Sequence, residues 1–325
     1  MNKNKIILIG TSPIAGFHVK ALKESGLDLI AVASSNRNSS SQEKFAVENN
    51  IKKSYSDWKK MINEEKCDGI VIAARIESTI EILEHAIKQN IPILVEKPVS
   101  FNSKDIKKLL KNSHEMIMVG YNRRFYKTVN VAKNFVLEEK NAVLASMVAP
   151  ESSNIKNFFS NTSHSLDILR YIFGEIRLMY IKKLIVNDIQ KGLVATFSND
   201  RKDVIQFLGN WGASDNFALS IFRDTKKFEL KPYEELFIYN GMDVTPPTNT
   251  NPIRKYVPKL VDKITLESVD EYIKPGFYQQ SSAFAELIRN KTKTDLAASL
   301  IDVFKNIEIC EKLVGKYKDS ILHGH

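Results

Sequence analysis

Cysteine is scarce: Cys67 and Cys310 are the only two in 325 residues. That excludes a disulfide-stapled scaffold, shows no metal-ligand spacing, and suits a reducing, cytoplasmic setting. No apolar run approaches the ~18 residues of a membrane span. Met1-Asn2-Lys3-Asn4-Lys5 followed by Ile6-Ile7-Leu8-Ile9 has the charge order of a secretory leader. The apolar run is too short, and Gly10-Thr11-Ser12-Pro13 breaks it with no small-residue cleavage site behind, so it reads as a buried first strand. Internal repeats, a nucleic-acid-binding module and a clustered basic arm are also missing. The net charge of +9, from 47 Lys+Arg against 38 Asp+Glu, is spread among acidic residues. It reads as a solvated surface compatible with anionic small ligands, and neither nucleic acid nor membrane is an expected partner.

What is present is an ordinary globular balance, 43% hydrophobic and 26% charged, in a chain long enough for two domains. Apolar strands alternate with helical stretches over the first 120 residues: Ile6–Ile9, Leu29–Ala33, Gly69–Ala73, Ile91–Val95 and Met116–Gly120. Continuous apolar runs suit parallel strands covered on both faces. Between them, Ile14, Phe17, Ala21 and Leu22 keep helical spacing, Gly26 is placed to end that helix, and Ser40-Ser41-Gln42-Glu43 has a capping-box pattern. The alternation predicts a doubly wound parallel sheet of the Rossmann type. After about Lys140 the pattern changes. A helix over Asn161–Phe173 precedes strand-like segments at Arg177–Val186, Gly192–Phe197, Val204–Trp211, Phe217–Phe222, Phe228–Leu230 and Leu236–Tyr239. Short connections predict a mainly antiparallel sheet in an α+β domain, and the overall class is α/β. The expected division is 1–121 for dinucleotide binding and 122–325 for substrate binding and assembly, with the last helices, near Gln279–Arg289 and Leu296–Val314, packing back on the body. Pro246–Pro252 reads as a loop.

Gly10-Thr11-Ser12-Pro13-Ile14-Ala15 occupies the first strand–helix turn, where a dinucleotide fingerprint belongs. Gly10 would allow the tight turn, Ala15 the close packing, and the helix N-terminus would face a pyrophosphate. Ser12 stands where the second glycine is usual, and its Cβ crowds that approach. A plain structural turn explains the hexapeptide about as well until its place in the strand–helix array is counted. At the end of the second strand, Ser34, Ser35 and Arg37 stand where an acidic residue would bond a ribose 2′-hydroxyl. This favours NADP, with NAD as the second choice. Ala73 and Arg75 follow the third strand; a solvent-facing arginine fits Arg75 as well as a phosphate contact does.

Val95-Glu96-Lys97-Pro98-Val99, Val119-Gly120-Tyr121-Asn122-Arg123-Arg124-Phe125 and Ser163–Glu175, in this order, resemble the Gfo/Idh/MocA oxidoreductase family. The resemblance implies a Rossmann domain followed by an open-faced sheet. It also implies hydride transfer between a nicotinamide and a sugar, nucleotide sugar or cyclitol, and a homodimer or homotetramer formed through that sheet. No metal is implied. Lys97 matches the family's active-site lysine. A lysine serves as acid/base once burial and nearby positive charge bring its pKa down from ~10.4. His164 matches the second acid/base group, and Asp167, on the same helical stripe, would orient it or bind a substrate hydroxyl. By resemblance Glu96 lies near the cofactor, and Tyr121 and Asn122 line the site. Arg124 would meet an anionic sugar, with a salt bridge between domains an equal alternative. Relatives often carry an aspartate four residues before the histidine, where this chain has Ser160. That departure, with Ser12 and the Arg75 turn, keeps a second reading open: a non-catalytic nucleotide-binding or assembly protein on the same fold.

Overall fold

The computed structural model describes residues 3–36, 40–151, 155–266 and 273–316. The chain forms two compact units, Met1–Phe125 with Ser268–His325, and Tyr126–Glu267.

In the first unit, six parallel strands run in the order β3-β2-β1-β4-β5-β6: β1 Lys5–Ile9, β2 Asp28–Ala33, β3 Lys53–Tyr55, β4 Gly69–Ile72, β5 Ile93–Val95 and β6 Ile117–Val119. This is the doubly wound order with its switch point between β1 and β4. Five of these strands follow the expected apolar runs. The sixth, β3, carries no apolar run; its backbone pairs with β2 at the sheet edge while Lys53 and Ser54 stay exposed.

Helix α1 (Pro13–Glu24) ends where Gly26 was expected to end it. Gly26 has φ +77°, its N–H bonds the Lys23 carbonyl and the Leu27 N–H bonds the Leu22 carbonyl, a Schellman stop. Helix α2 (Ser41–Glu48) begins after Ser40, but the expected capping box does not form, because the Ser40 side chain makes no cap bond. Asp57 does cap α3 (Trp58–Glu64) by accepting the Lys59 N–H. α4 (Ile76–Ile87) and α5 (Ser103–Leu110) complete the alternation. From the C-terminal segment, α9 (Phe277–Asn290) packs on α1 and α10 (Leu300–Val314) on α5. The core joins Ile6, Leu8, Val32, Val71, Leu94 and Met118 of the sheet with Val19 and Leu22 of α1 and Phe284, Leu287 and Ile288 of α9.

The second unit is built on an eight-stranded sheet, β14-β13-β12-β11-β7-β10-β9-β8. Its strands are β7 Leu144–Glu151, β8 Arg177–Val186, β9 Ile189–Ser198, β10 Val204–Trp211, β11 Ala218–Arg223, β12 Lys226–Leu230, β13 Glu235–Thr245 and β14 Lys255–Thr265. β7 and β10 are parallel and every other pairing is antiparallel. One face is covered by α6 (Lys127–Leu137) and α8 (Ser163–Phe173), reached through a short turn, α7 (Ile155–Asn157). Alternation places Leu193, Ala195, Ile205 and Phe207 in the core, while Val194, Val204 and Leu208 stay exposed on the opposite face. Among the described residues, no helix is long and apolar enough to cross a membrane.

Candidate active site

The carboxyl edge of the parallel sheet is stitched by a row of backbone bonds. Gly10 N–H bonds the Ala33 carbonyl, Ala73 N–H that of Ile9, Glu96 N–H that of Ile72 and Gly120 N–H that of Val95, each at 2.8 Å. Gly10, Ala73, Glu96 and Gly120 therefore lie along one edge, where doubly wound sheets take their ligands.

Gly10 has φ +124°, and a Cβ there would stand 2.1 Å from the Ala73 carbonyl oxygen. Ser12 caps α1 through its backbone, its carbonyl accepting the Ala15 and Gly16 N–H groups; its side chain makes no cap bond. Pro13 has no N–H, so Ile14 carries the first-turn amide that these bonds leave to face an anion. Ile14 is half-buried against the core and Ala15 is fully buried beneath it. At the end of β2, Ser34 is 3% exposed and its Oγ accepts the Asn36 N–H at 3.1 Å, while Ser35 is half-buried. Arg37, expected at the ribose, lies outside the described residues. Arg75 is the exposed cap of α4, its carbonyl accepting the Thr79 hydroxyl.

Lys97 lies two residues after the end of β5, is half-buried, and is joined to Pro98 by a cis peptide bond. Its N–H bonds Glu96 Oε2 at 3.2 Å. The other Glu96 oxygen, Oε1, lies 2.7 Å from Nε2 of His18, a fully buried residue of α1. Sequence reasoning missed His18: the apolar stripe of α1 was traced through Phe17 and Ala21, and a histidine between them carries no apolar signal. Tyr121 and Asn122 follow β6 and are buried; Asn122 Nδ2 bonds the Pro275 carbonyl at 2.9 Å. Arg124 is 5% exposed and its guanidinium meets Asp302 at 3.2 Å, a salt bridge that lies inside the first unit and is not the bridge between domains expected as its alternative role.

His164 and Asp167 belong to the second unit. They sit on α8, every residue of which is buried. Asp167 is 1% exposed and is no surface charge; burial of a carboxylate demands partners. A wide π-turn over Phe158–Thr162 leads into α8, a distortion that recurs at functional sites. Ser160 lies in it and returns its hydroxyl to the Lys156 and Asn157 carbonyls. A carboxylate absent from the sequence reading is nearby: Glu151, at the end of β7, accepts Thr162 Oγ1 at 3.2 Å and Asn161 Nδ2 at 3.4 Å. Glu151 stands 9 residues before Ser160 in a Pro-Glu pair, with no local pattern to mark it.

Residues 4–121 match a family model described as an oxidoreductase family with an NAD-binding Rossmann fold. The inositol 2-dehydrogenase of Salmonella paratyphi B is 22% identical over 184 residues, 52% of this chain and 54% of that protein, so the match spans about half the length of the relative. Among solved structures, the myo-inositol 2-dehydrogenase of Lactobacillus plantarum has a TM-score of 0.71 at 17% identity, covering 95% of this chain and 96% of that one. An oxidoreductase from Agrobacterium radiobacter, in complex with NAD+, L-tartaric acid and magnesium, has a TM-score of 0.73 at 16% identity, covering 98% and 97%. At these identities the structural likeness speaks for the fold.

Proposed function

We propose, from the match of residues 4–121 to the Gfo/Idh/MocA oxidoreductase family model, that this chain transfers hydride between a nicotinamide and a hydroxyl-bearing carbon of a sugar, nucleotide sugar or cyclitol. The observation that carries the reading is Lys97, half-buried at the carboxyl edge of the sheet two residues after the end of β5. The residues present fit a dinucleotide: Gly10 leaves the turn without a side chain, and the α1 N-terminus, where Pro13 has no N–H and Ala15 and Gly16 donate to the Ser12 carbonyl, leaves the Ile14 N–H to face the pyrophosphate. When bound, the nicotinamide supplies the hydride acceptor or donor. Lys97 takes the hydroxyl proton in oxidation and, as an ammonium, donates to the carbonyl oxygen in reduction. On the second unit, His164 is assigned a second proton-transfer role and Asp167 its orientation. Tyr121 remains the assigned substrate-side aromatic; Asn122 and Arg124 act through the contacts that hold them.

The cofactor preference we assign is NADP over NAD. β2 is followed by Ser34 and Ser35, with no carboxylate to bond the ribose 2′-hydroxyl or repel a 2′-phosphate. Calorimetry is expected to give a Kd for NADP+ about tenfold below that for NAD+. A panel of myo-inositol, free hexoses and nucleotide sugars, followed by absorbance of the reduced nicotinamide, then finds the substrate. Cofactor binding without turnover of any of them would favour the non-catalytic reading.

The exposed face of the second sheet, with Tyr180, Leu184, Val194, Leu208 and Phe222 all at least 37% exposed, supports assembly through that face. Light scattering is expected to give a dimer or tetramer mass. Leu208→Glu is expected to reduce it towards the monomer, and a wild-type monomer would remove the proposal.

A further inference from the structure

We propose that His18 is a positioning residue of the lysine site: it holds the Glu96 carboxylate, and the carboxylate holds the Lys97 turn. The kinetic consequence rests on the hydride-transfer reading above.

Two hydrogen bonds fix Glu96. Its Oε1 meets His18 Nε2 at 2.7 Å, and its Oε2 accepts the Lys97 N–H at 3.2 Å. The carboxylate also lies close to the Gly120 backbone, where a Cβ would stand 2.8–3.0 Å from its atoms. The carboxylate is thus clamped across the turn that carries Lys97.

His18 has no other polar task in the described structure. It is 0% exposed, its ring tilts against Phe277 with centroids 5.0 Å apart, and Nδ1 finds no hydrogen-bond partner among the described residues. A leucine at this place in α1 would fill the same apolar wall with no desolvation cost. The bond to Glu96 is what an imidazole adds. The orphaned Nδ1 also chooses the tautomer. A buried acceptor without a partner is tolerated better than a buried N–H without one. Nε2 therefore carries the proton and donates to Glu96, a hydrogen bond strengthened by the anionic acceptor. Without that donor, one carboxylate oxygen is left in a nearly closed setting, Glu96 turns to find another partner, and the Lys97 backbone loses its anchor. A displacement of about 1 Å at a reacting group costs up to about a hundredfold in rate.

The test uses the full chain and three substitutions. His18→Leu removes the donor. His18→Gln restores an Nε2–H at similar reach, and His18→Asn is polar but too short. With the polyol that wild type oxidises best, His18→Leu and His18→Asn are expected to lower kcat by about ten- to a hundredfold. KM and the NADP+ Kd should stay within about threefold of wild type. His18→Gln should recover most of kcat. A merely structural role would not separate the two amides. The proposal is overturned if His18→Leu keeps kcat within about twofold, or if folded His18→Gln is no better than folded His18→Asn. If His18→Leu does not fold, the comparison of the two amides decides.

A second readout needs no substrate. In 15N-histidine spectra, His18 is expected to show an exchange-protected proton on Nε2 that moves upfield in Glu96→Gln, where the acceptor loses its charge. A proton on Nδ1, or no response to Glu96→Gln, overturns the pairing. If wild type turns over no polyol while this resonance behaves as expected, the hydride-transfer reading fails and the pair stands.

Discussion

Lys97→Ala is expected to lower kcat by about 10³-fold, inside the range of about 10²–10⁴ that a positioned acid–base group contributes, while the NADP+ Kd stays near its wild-type value. The separation follows from where the groups lie. The proposed phosphate cradle lies at Gly10 and the start of α1, whereas Lys97 follows β5, a different strand of the same edge. Removing the amine would take away the proposed proton acceptor and leave that cradle intact. Lys97→Arg sharpens the test. Arginine keeps the positive charge but does not deprotonate in proteins. If charge alone mattered, Lys97→Arg would keep most of the rate; if proton transfer matters, it falls about as far as alanine. His164→Ala is expected to fall less, by about ten- to a hundredfold, as an assisting group. Stopped-flow formation of the reduced nicotinamide measures all three. A Lys97→Ala enzyme within tenfold of wild type would remove the lysine from the mechanism.

Much of this architecture is legible in the sequence because burial leaves a period. Strands covered on both faces must be apolar throughout, so β1, β2, β4, β5 and β6 stand out as runs. Strands covered on one face alternate, so β10 runs over the expected Val204–Trp211; β8 also runs over the expected Arg177–Val186, although it is exposed along most of its length. Elements that escape are those whose residues are not selected by burial. β3 is three residues of edge backbone pairing. β14 is exposed along almost its whole length and contains Pro258, which only an edge strand tolerates. β7 is the exception, since its burial alternates along its whole length; Pro150 near its end, beyond the last residue paired with β11, interrupts its strand signal. The site divides along the same line. Lys97 and Gly10 belong to short contiguous motifs and are visible in sequence. The partnership of His18 with Glu96 spans 78 residues, and that of Arg124 with Asp302 spans 178. A pairing of that separation has no local signature; only the packing of α1 on the sheet, or of α10 on the first unit, creates it.

Gly10→Ala is expected to cost about 4 kcal/mol or more of stability, in the range reserved for severe backbone clashes. The new Cβ would lie 2.1 Å from the Ala73 carbonyl oxygen, 2.6 Å from its carbon and 3.2 Å from the Ala74 nitrogen. None of these atoms belongs to a flexible side chain. All are backbone held in the stitched row, where Ala73 N–H bonds the Ile9 carbonyl and Gly10 N–H bonds that of Ala33. Relief requires β1 and β4 to part at the switch point of the sheet. The backbone adds its own penalty, since φ +124° is a conformation that a residue with a Cβ rarely adopts. Gly16 provides the contrast from the same loop–helix segment. A Cβ there meets nothing within 4 Å, and the position lies inside α1, so Gly16→Ala should be neutral or stabilising by up to about 1 kcal/mol. Urea unfolding followed by circular dichroism measures both. Equal stabilities for Gly10→Ala and wild type would mean that the β1–α1 turn does not rest on Ala73, and the phosphate cradle would have to be placed elsewhere on the edge.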